Sequence, residues 1–238
     1  MTPTHAHVSS PAEATAAASP GAALAVPGSG AAGGTALAAS RELYRLIRAG
    51  GDPQVLAAYL DAMDPQGRIA AVRRLSRRAL GELYDHCASA PPATLAEFLP
   101  ASLAVGETAI FSGLNSLPLF RKFEKRFTRT ASGAIIGFNF QLMSVFTGPG
   151  YFTVEPAGTE ILFDYTKVPA ASEAPADWPR VKPNNRGLSH FVYKNMHDFC
   201  RRVSRDVIIG RATRLGKPIG QFFVLVRGAA AQSACQSA

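Results

Sequence analysis

The sequence has little of what several structural classes require. Among its 238 residues there are 3 cysteines, Cys87, Cys200 and Cys235. They are too few and too widely spaced for the disulfide framework of a small secreted domain. No apolar run approaches the roughly 18 residues of a membrane-spanning helix. Phosphate-loop, dinucleotide, zinc-protease and calcium-loop motifs are missing, as is the Gly-x-Ser-x-Gly elbow of serine hydrolases. His197 and Cys200 stand three apart, but no second pair lies at ligand spacing, so no metal site is expected and no motif points to a cofactor. Residues 1–39 contain no Lys or Arg, which denies them the basic start of a secretory signal. Their Ala, Pro, Gly and Ser content reads as a disordered leader, and 229–238 reads as a disordered tail. These features predict a reducing, cytoplasmic setting, at most peripheral to a membrane.

What the chain does have is enough apolar material for a core. Hydrophobic residues make up 47%, with 14 Phe, and 25 Lys and Arg against 17 Asp and Glu give a formal charge of +8. Fourteen phenylalanines and several apolar runs exclude disorder over the whole length.

Residues 40–104 read as a helical segment. Ser40 is a candidate cap for a short helix Arg41–Ala49, which Gly50-Gly51 stops. Asp52-Pro53 and Asp64-Pro65 are two further start signals. Ile69, Val72, Leu75, Ala79, Leu83 and Cys87 recur at three- and four-residue steps and predict one long helix over 65–87. Arg68, Arg73, Arg74, Arg77 and Arg78 occupy much of its other face, either as a solvated surface or as a contact for an anionic membrane or acidic protein. No stacked-aromatic single-strand module accompanies them, so nucleic acid is not an expected partner. Thr94 and Glu97 have capping-box spacing.

Residues 105–228 read as a strand-rich domain. From 134 to 147 the pattern has period two, with Ile136, Phe138, Phe140, Leu142 and Phe146 on the greasier face. Gly148-Pro149-Gly150 and Pro156-Ala157-Gly158 are turns, and Ile161, Phe163 and Tyr165 share a face of the strand between later turns. The proline-rich stretch 169–187 is a long loop, and Trp178 inside it serves either as an anchor over a barrel mouth or as a plug that packs the loop down. Leu188–Tyr193 reads as a strand, Met196–Val203 as a helical or turn piece, and Val207–Thr213 and Gln221–Arg227 as strands. Phe222, Val224 and Val226 face one way while Phe223, Leu225 and Arg227 face the other, so the last strand is expected to be covered on both sides. Seven or eight meandering strands predict a mainly β fold with a helical N-terminal segment, an antiparallel meander closed into a β-barrel.

Within 190–228, the run Phe191-Val192-Tyr193, Asp198-Phe199, Arg201-Arg202-Val203, Asp206, Gly210 and Phe222-Phe223-Val224-Leu225-Val226-Arg227 resembles the final third of an uncharacterised microbial calycin-like barrel family. The terminal strand is also similar to that of plastid lipid-associated, fibrillin-like proteins. The resemblance implies a lipocalin- or calycin-like β-barrel and an association with lipids or other apolar molecules, without a settled enzyme activity.

The leading functional expectation is a barrel cavity that binds a small apolar or amphipathic, lipid-like molecule. Phe138, Asn139, Phe140, Tyr151, Phe163, Asp164, Tyr165, His190, Tyr193 and Arg227 are the candidate lining residues, with Asp164 and Arg227 able to orient a polar head or to lock a barrel end. Asp164 points outward if Tyr165 points inward. One alternative is an isomerase, cyclase or hydrolase with His190 and Asp164 as proton carriers. Another is a protein-interaction module with a solid barrel and a basic helix. Asp198, Arg201, Arg202 and Asp206 read as a structural ion network. Cys200 reads as a buried small hydrophobe. The stretch Leu119–Phe127 interleaves aromatic and basic residues, with Arg121, Phe123 and Lys125 on one face if it is a strand. A solvated face is the first reading there and an acidic-headgroup contact the second.

Overall fold

The computed structural model describes residues 32–140, 148–187 and 189–228. Its centre is a closed barrel of eight strands, each hydrogen-bonded to its sequence neighbour and the last to the first. The strands are β1 (Ala109–Asn115), β2 (Lys122–Arg129), β3 (Ile135–Phe140), β4 (Tyr151–Ala157), β5 (Glu160–Asp164), β6 (Met196–Ser204), β7 (Val207–Arg214) and β8 (Lys217–Arg227). All eight pairings are antiparallel. Among the described residues, closure leaves no unpaired sheet edge, and the mainly β expectation holds.

The helices α1 (Ala32–Ala49), α2 (Pro53–Asp61), α3 (Pro65–Val72) and α4 (Arg77–His86) pack outside the barrel. Leu43, Leu56, Leu60, Leu80 and Leu83 meet Val207, Ile209, Val224 and Val226 there in one buried cluster. This is why β8 is apolar on both faces.

Two helix boundaries differ from the sequence reading. The first helix runs through Ser40 instead of starting after it, because the alanine-rich stretch before it is itself a good helix former and Ala39 and Ser40 are buried. The long helix over 65–87 is two helices. The Ser76 hydroxyl accepts a hydrogen bond from the Ala79 amide at 3.1 Å and starts α4 afresh, with Leu75 buried at the corner. The Asp52 and Asp64 caps form as expected.

A last short helix, α5 (Leu95–Phe98), is capped by Thr94. It drives Phe98 into one end of the barrel, within 4.9 Å of the Phe127 ring centre, 5.1 Å of Phe111 and 5.7 Å of Phe163. With Phe152, Ile135, Val154, Ile161, Ile208 and Leu225 these rings fill that end of the lumen. Arg227 caps that end, its guanidinium 5.6 Å from the Phe111 ring centre. Its guanidinium donates to the carbonyls of Glu97 and Phe98 and lies 3.6 Å from Asp206.

Large rings fit the lumen because glycines stand opposite them. Gly113 pairs with Phe123, Gly137 with Phe152 and Gly210 with Phe223 across neighbouring strands. A methyl group on any of the three would lie under 3.0 Å from the facing ring. Each glycine yields the volume that its neighbour's ring occupies.

The loop after β5 lies on the outer face of β3 and β4. Trp178 packs there, 4.7 Å from Phe138 and 6.2 Å from Tyr151 between ring centres, so it pins the loop down. Its indole N–H donates to the Thr108 hydroxyl at 2.8 Å. Trp178→Phe keeps the stacking and loses this bond. We expect a cost of about 1 kcal/mol, read as a shifted urea midpoint by circular dichroism.

Residues 189–204 invert the sequence reading. Ser189–Tyr193 is a short helix, α6, and Met196–Ser204 is a strand. The strand escaped notice because its lumen face carries Met196, Asp198 and Cys200, and its outer face His197, Phe199 and Arg201. Neither face is uniformly apolar.

Candidate functional site

At the end of the barrel opposite Phe98 the lumen opens into a cavity of about 380 Å³. Its walls include Phe123, Phe223, Met196, Val192, Tyr193 and Ala212, with Asn115, Gln221 and Arg214 among the polar groups. Its floor is a polar cluster formed by Lys125, Asn139, Tyr165 and Asp198. All four are buried.

Register brings them together. Lys125 on β2 pairs directly with Asn139 on β3. Asp198 on β6 pairs with Phe163 on β5, and Tyr165 follows β5 with its amide held by the Met196 carbonyl. The Lys125 ammonium donates to the Tyr165 hydroxyl and to the Asp198 carboxylate, the latter at 3.2 Å. The Tyr165 hydroxyl lies 3.1 Å from the same carboxylate oxygen. The Asn139 amide donates to Tyr165 at 3.2 Å and to the Gly150 carbonyl at 3.3 Å.

Aromatic rings surround the lysine nitrogen. It lies 4.8 Å from the centre of Phe152, 4.9 Å from Phe223, 5.1 Å from Tyr165 and 5.2 Å from Phe163. Their faces attract a cation. Loss of hydration still dominates, so burial pulls the Lys125 pKa below its ordinary value while Asp198 pushes the other way. Burial raises the Tyr165 phenol well above its ordinary value, and the Asp198 charge adds to this. Tyr165 therefore carries its proton at neutral pH. Cys200 is fully buried on the same face and its thiol is also raised well above the ordinary range by burial.

Tyr193 lies parallel to Tyr165, with ring centres 5.3 Å apart and planes 7° apart. Gly150, at φ +58°, permits the Tyr193 ring to approach, since a methyl group there would stand 2.4 Å from it. The left-handed backbone and the close ring both favour glycine.

Of the residues expected from the sequence, Asn139, Tyr165 and Tyr193 meet at this cavity. Phe163 is in the lumen but belongs to the filled part beside Phe98. Phe138, Phe140 and Tyr151 lie outside the lumen, because the apolar face of β3 points outward and Ile135, Gly137 and Asn139 point in. Phe138 and Tyr151 are covered by the Trp178 loop. Phe140 is 44% exposed, and the Arg126 guanidinium stacks over it. Residues 141–147, assigned to the same strand, lie outside the described residues.

Asp164 also points outward, as an inward Tyr165 requires. It accepts from the Thr166 amide and hydroxyl and sits 3.3 Å from His197. Burial opposes its charge, but the Thr166 hydrogen bonds, His197 and Lys167 outweigh that and hold its pKa below the usual value. The histidine beside Asp164 is thus His197, whereas His190 contacts Asn185 and Lys194. The Asp164–His190 proton pair is not assembled. Arg227 belongs to the closed end and partners Asp206, not Asp164.

Lys125 and Asp198 are what sequence reading missed. Lys125 sat in a basic run read as solvated, yet it is 2% exposed. Asp198 was grouped with Arg201, Arg202 and Asp206, which in fact point elsewhere. Arg201 reaches Glu160 at 2.9 Å and Arg202 reaches Glu97 at 2.6 Å, both away from Asp198. The one usable signal was strand alternation: Phe123, Lys125 and Phe127 fall on one face, so two inward phenylalanines carry the lysine inward as well.

His197 and Cys200 lie on opposite faces of β6, and among the described residues no three His, Cys, Asp or Glu side chains are grouped to hold a metal. No helix among them is long and apolar enough to cross a membrane. Compared with protein-family models, curated proteins and solved structures, the chain matches none.

Proposed function

We propose that this protein binds a small amphipathic molecule in the open half of its barrel. The apolar part of the ligand lies against Phe123, Phe223 and Met196, and its polar group meets Lys125, Tyr165 and Asn139. The observation that carries the reading is the cavity of about 380 Å³ with a buried polar floor beneath apolar walls. That size falls in the range of small-molecule sites, in which a few placed polar groups set orientation and apolar contact supplies affinity. The lipid-association reading of the barrel's final strands enters here as part of the same proposal.

The test is displacement of a hydrophobic fluorescent probe by medium-chain acids, ketones and alcohols, together with native mass spectrometry of the purified chain. Ala212 faces the cavity, so Ala212→Phe fills it. We expect this variant to weaken probe binding at least ~10-fold, about 1.4 kcal/mol, with an unchanged circular dichroism spectrum. A folded variant that binds the probe as tightly as the parent would place the ligand elsewhere.

A further inference from the structure

We propose that Lys125 forms a covalent imine with an aldehyde or ketone carried by the ligand, which makes the floor of the barrel a carbonyl-capturing centre. This rests on the binding proposal above and names the substrate class of that site.

Three features point to this chemistry. First, the amine is inside the lumen and lines the cavity rather than the surface. Desolvation of a lysine in an apolar pocket is the established way to make its amine nucleophilic, and the rings of Phe152, Phe163 and Phe223 supply that environment. Second, the ammonium donates to two groups that can move protons, the Asp198 carboxylate, which is a proton acceptor, and the Tyr165 hydroxyl, whose own proton is donated to that carboxylate at 3.1 Å. Imine formation needs both. Third, the Asn139 amide also donates to the Tyr165 hydroxyl at 3.2 Å, so the phenol is fixed beside the nitrogen. A lysine serving only as a barrel filler needs a counter-charge, but it does not need a protonated phenol bridging it to that counter-charge beside a cavity.

The step balances with the groups present. Asp198 takes one proton from the ammonium and frees the lone pair. The C–N bond forms as the carbonyl π pair moves to oxygen, and Tyr165 protonates that oxygen. Asp198 returns its proton through the cluster to reprotonate the phenolate, and the carbinolamine then carries one N–H more than the imine needs. Transfer of that proton to the hydroxyl expels water. An ammonium and a carbonyl thus become a protonated imine and water, with no change in total charge. The iminium faces Asp198, which replaces the original ion pair in kind.

The experiment uses the full chain with octanal and sodium cyanoborohydride, which fixes an imine as a stable secondary amine. Peptide mapping then locates the adduct. We expect Lys125 to be modified at least ~10-fold faster than the exposed Lys122, Lys167 and Lys217. Octanol, which has the same chain and no carbonyl, is expected to compete with the modification. Lys125→Arg is expected to lose the adduct while the surface adducts persist. The mapping is made on the parent protein, so the result does not depend on that variant folding. If octanol displaces the hydrophobic probe but Lys125 stays unmodified while surface lysines react, the imine is overturned and the binding proposal stands. If octanol displaces nothing and Lys125 is unmodified, both fail.

Discussion

Asp198→Ala is expected to destabilise the fold by about 3–5 kcal/mol at neutral pH, because it strands a buried ammonium without its counter-charge. Lys125 and Asp198 side chains are each 3% exposed, so little solvent meets the ammonium to replace the lost partner. The double variant Lys125→Met with Asp198→Leu is expected to recover most of that loss, since replacing a buried ion pair by apolar groups of similar volume is often neutral or stabilising. Equilibrium denaturation of the two single variants, the double variant and the parent forms a cycle whose coupling term reads the pair directly.

The pH dependence of the single variant has a definite sign. Burial depresses the pKa of Lys125 in the folded protein, and removing Asp198 removes the main opposing influence. Between that depressed value and the ordinary lysine value of about 10.4, the unfolded chain binds more protons than the folded one. Stability then rises with pH through this window. Asp198→Ala should therefore regain stability as the pH is raised toward 10, and lose it again on return to neutrality. A flat profile would mean that Lys125 is solvated in the variant.

Gly210→Ala is the second large effect. The added methyl would stand 2.2 Å from the Phe223 ring, which packs against Phe123 on one side, 6.2 Å between centres, and lines the cavity on the other, so the clash is relieved only by moving the ring off Phe123 and into the cavity. Overpacking of this kind costs about 1–3 kcal/mol, and we expect a cost in that range here. The companion variant Gly210→Ala with Phe223→Leu should restore part of the stability, because the shorter side chain vacates the contested volume. Thermal unfolding of both distinguishes crowding from a general loss of strand geometry, which the second substitution would not repair.

Much of the barrel was legible because its signals are local. Glycine- and proline-rich turns separate β3, β4 and β5, and the two-sided apolar character of β8 announced a helical cover. Where a signal is non-local, reading failed. The Gly210–Phe223 and Gly137–Phe152 pairs join strands through register, which no periodicity reveals. Phe138 is apolar and points outward because a distant loop delivers Trp178 to cover it. Asn139, polar and adjacent, is the inward residue. The same reversal hid Lys125 and Asp198, since a site that buries a charge violates the apolar-inside pattern that sequence reading depends on. Tyr165 and Tyr193 were recoverable because an amphipathic ring satisfies both the pattern and the site.

Phe98 has a consequence for how the chain can be divided. It comes from the helical segment, yet it sits among Phe111, Phe127 and Phe163 inside the barrel. A fragment starting at residue 105 would keep every strand but lose this stopper. It would also bare Val207, Ile209, Val224 and Val226, which the preceding helices cover. The two halves are therefore architecturally distinct without being separable: the strands enclose a space that they cannot cork on their own.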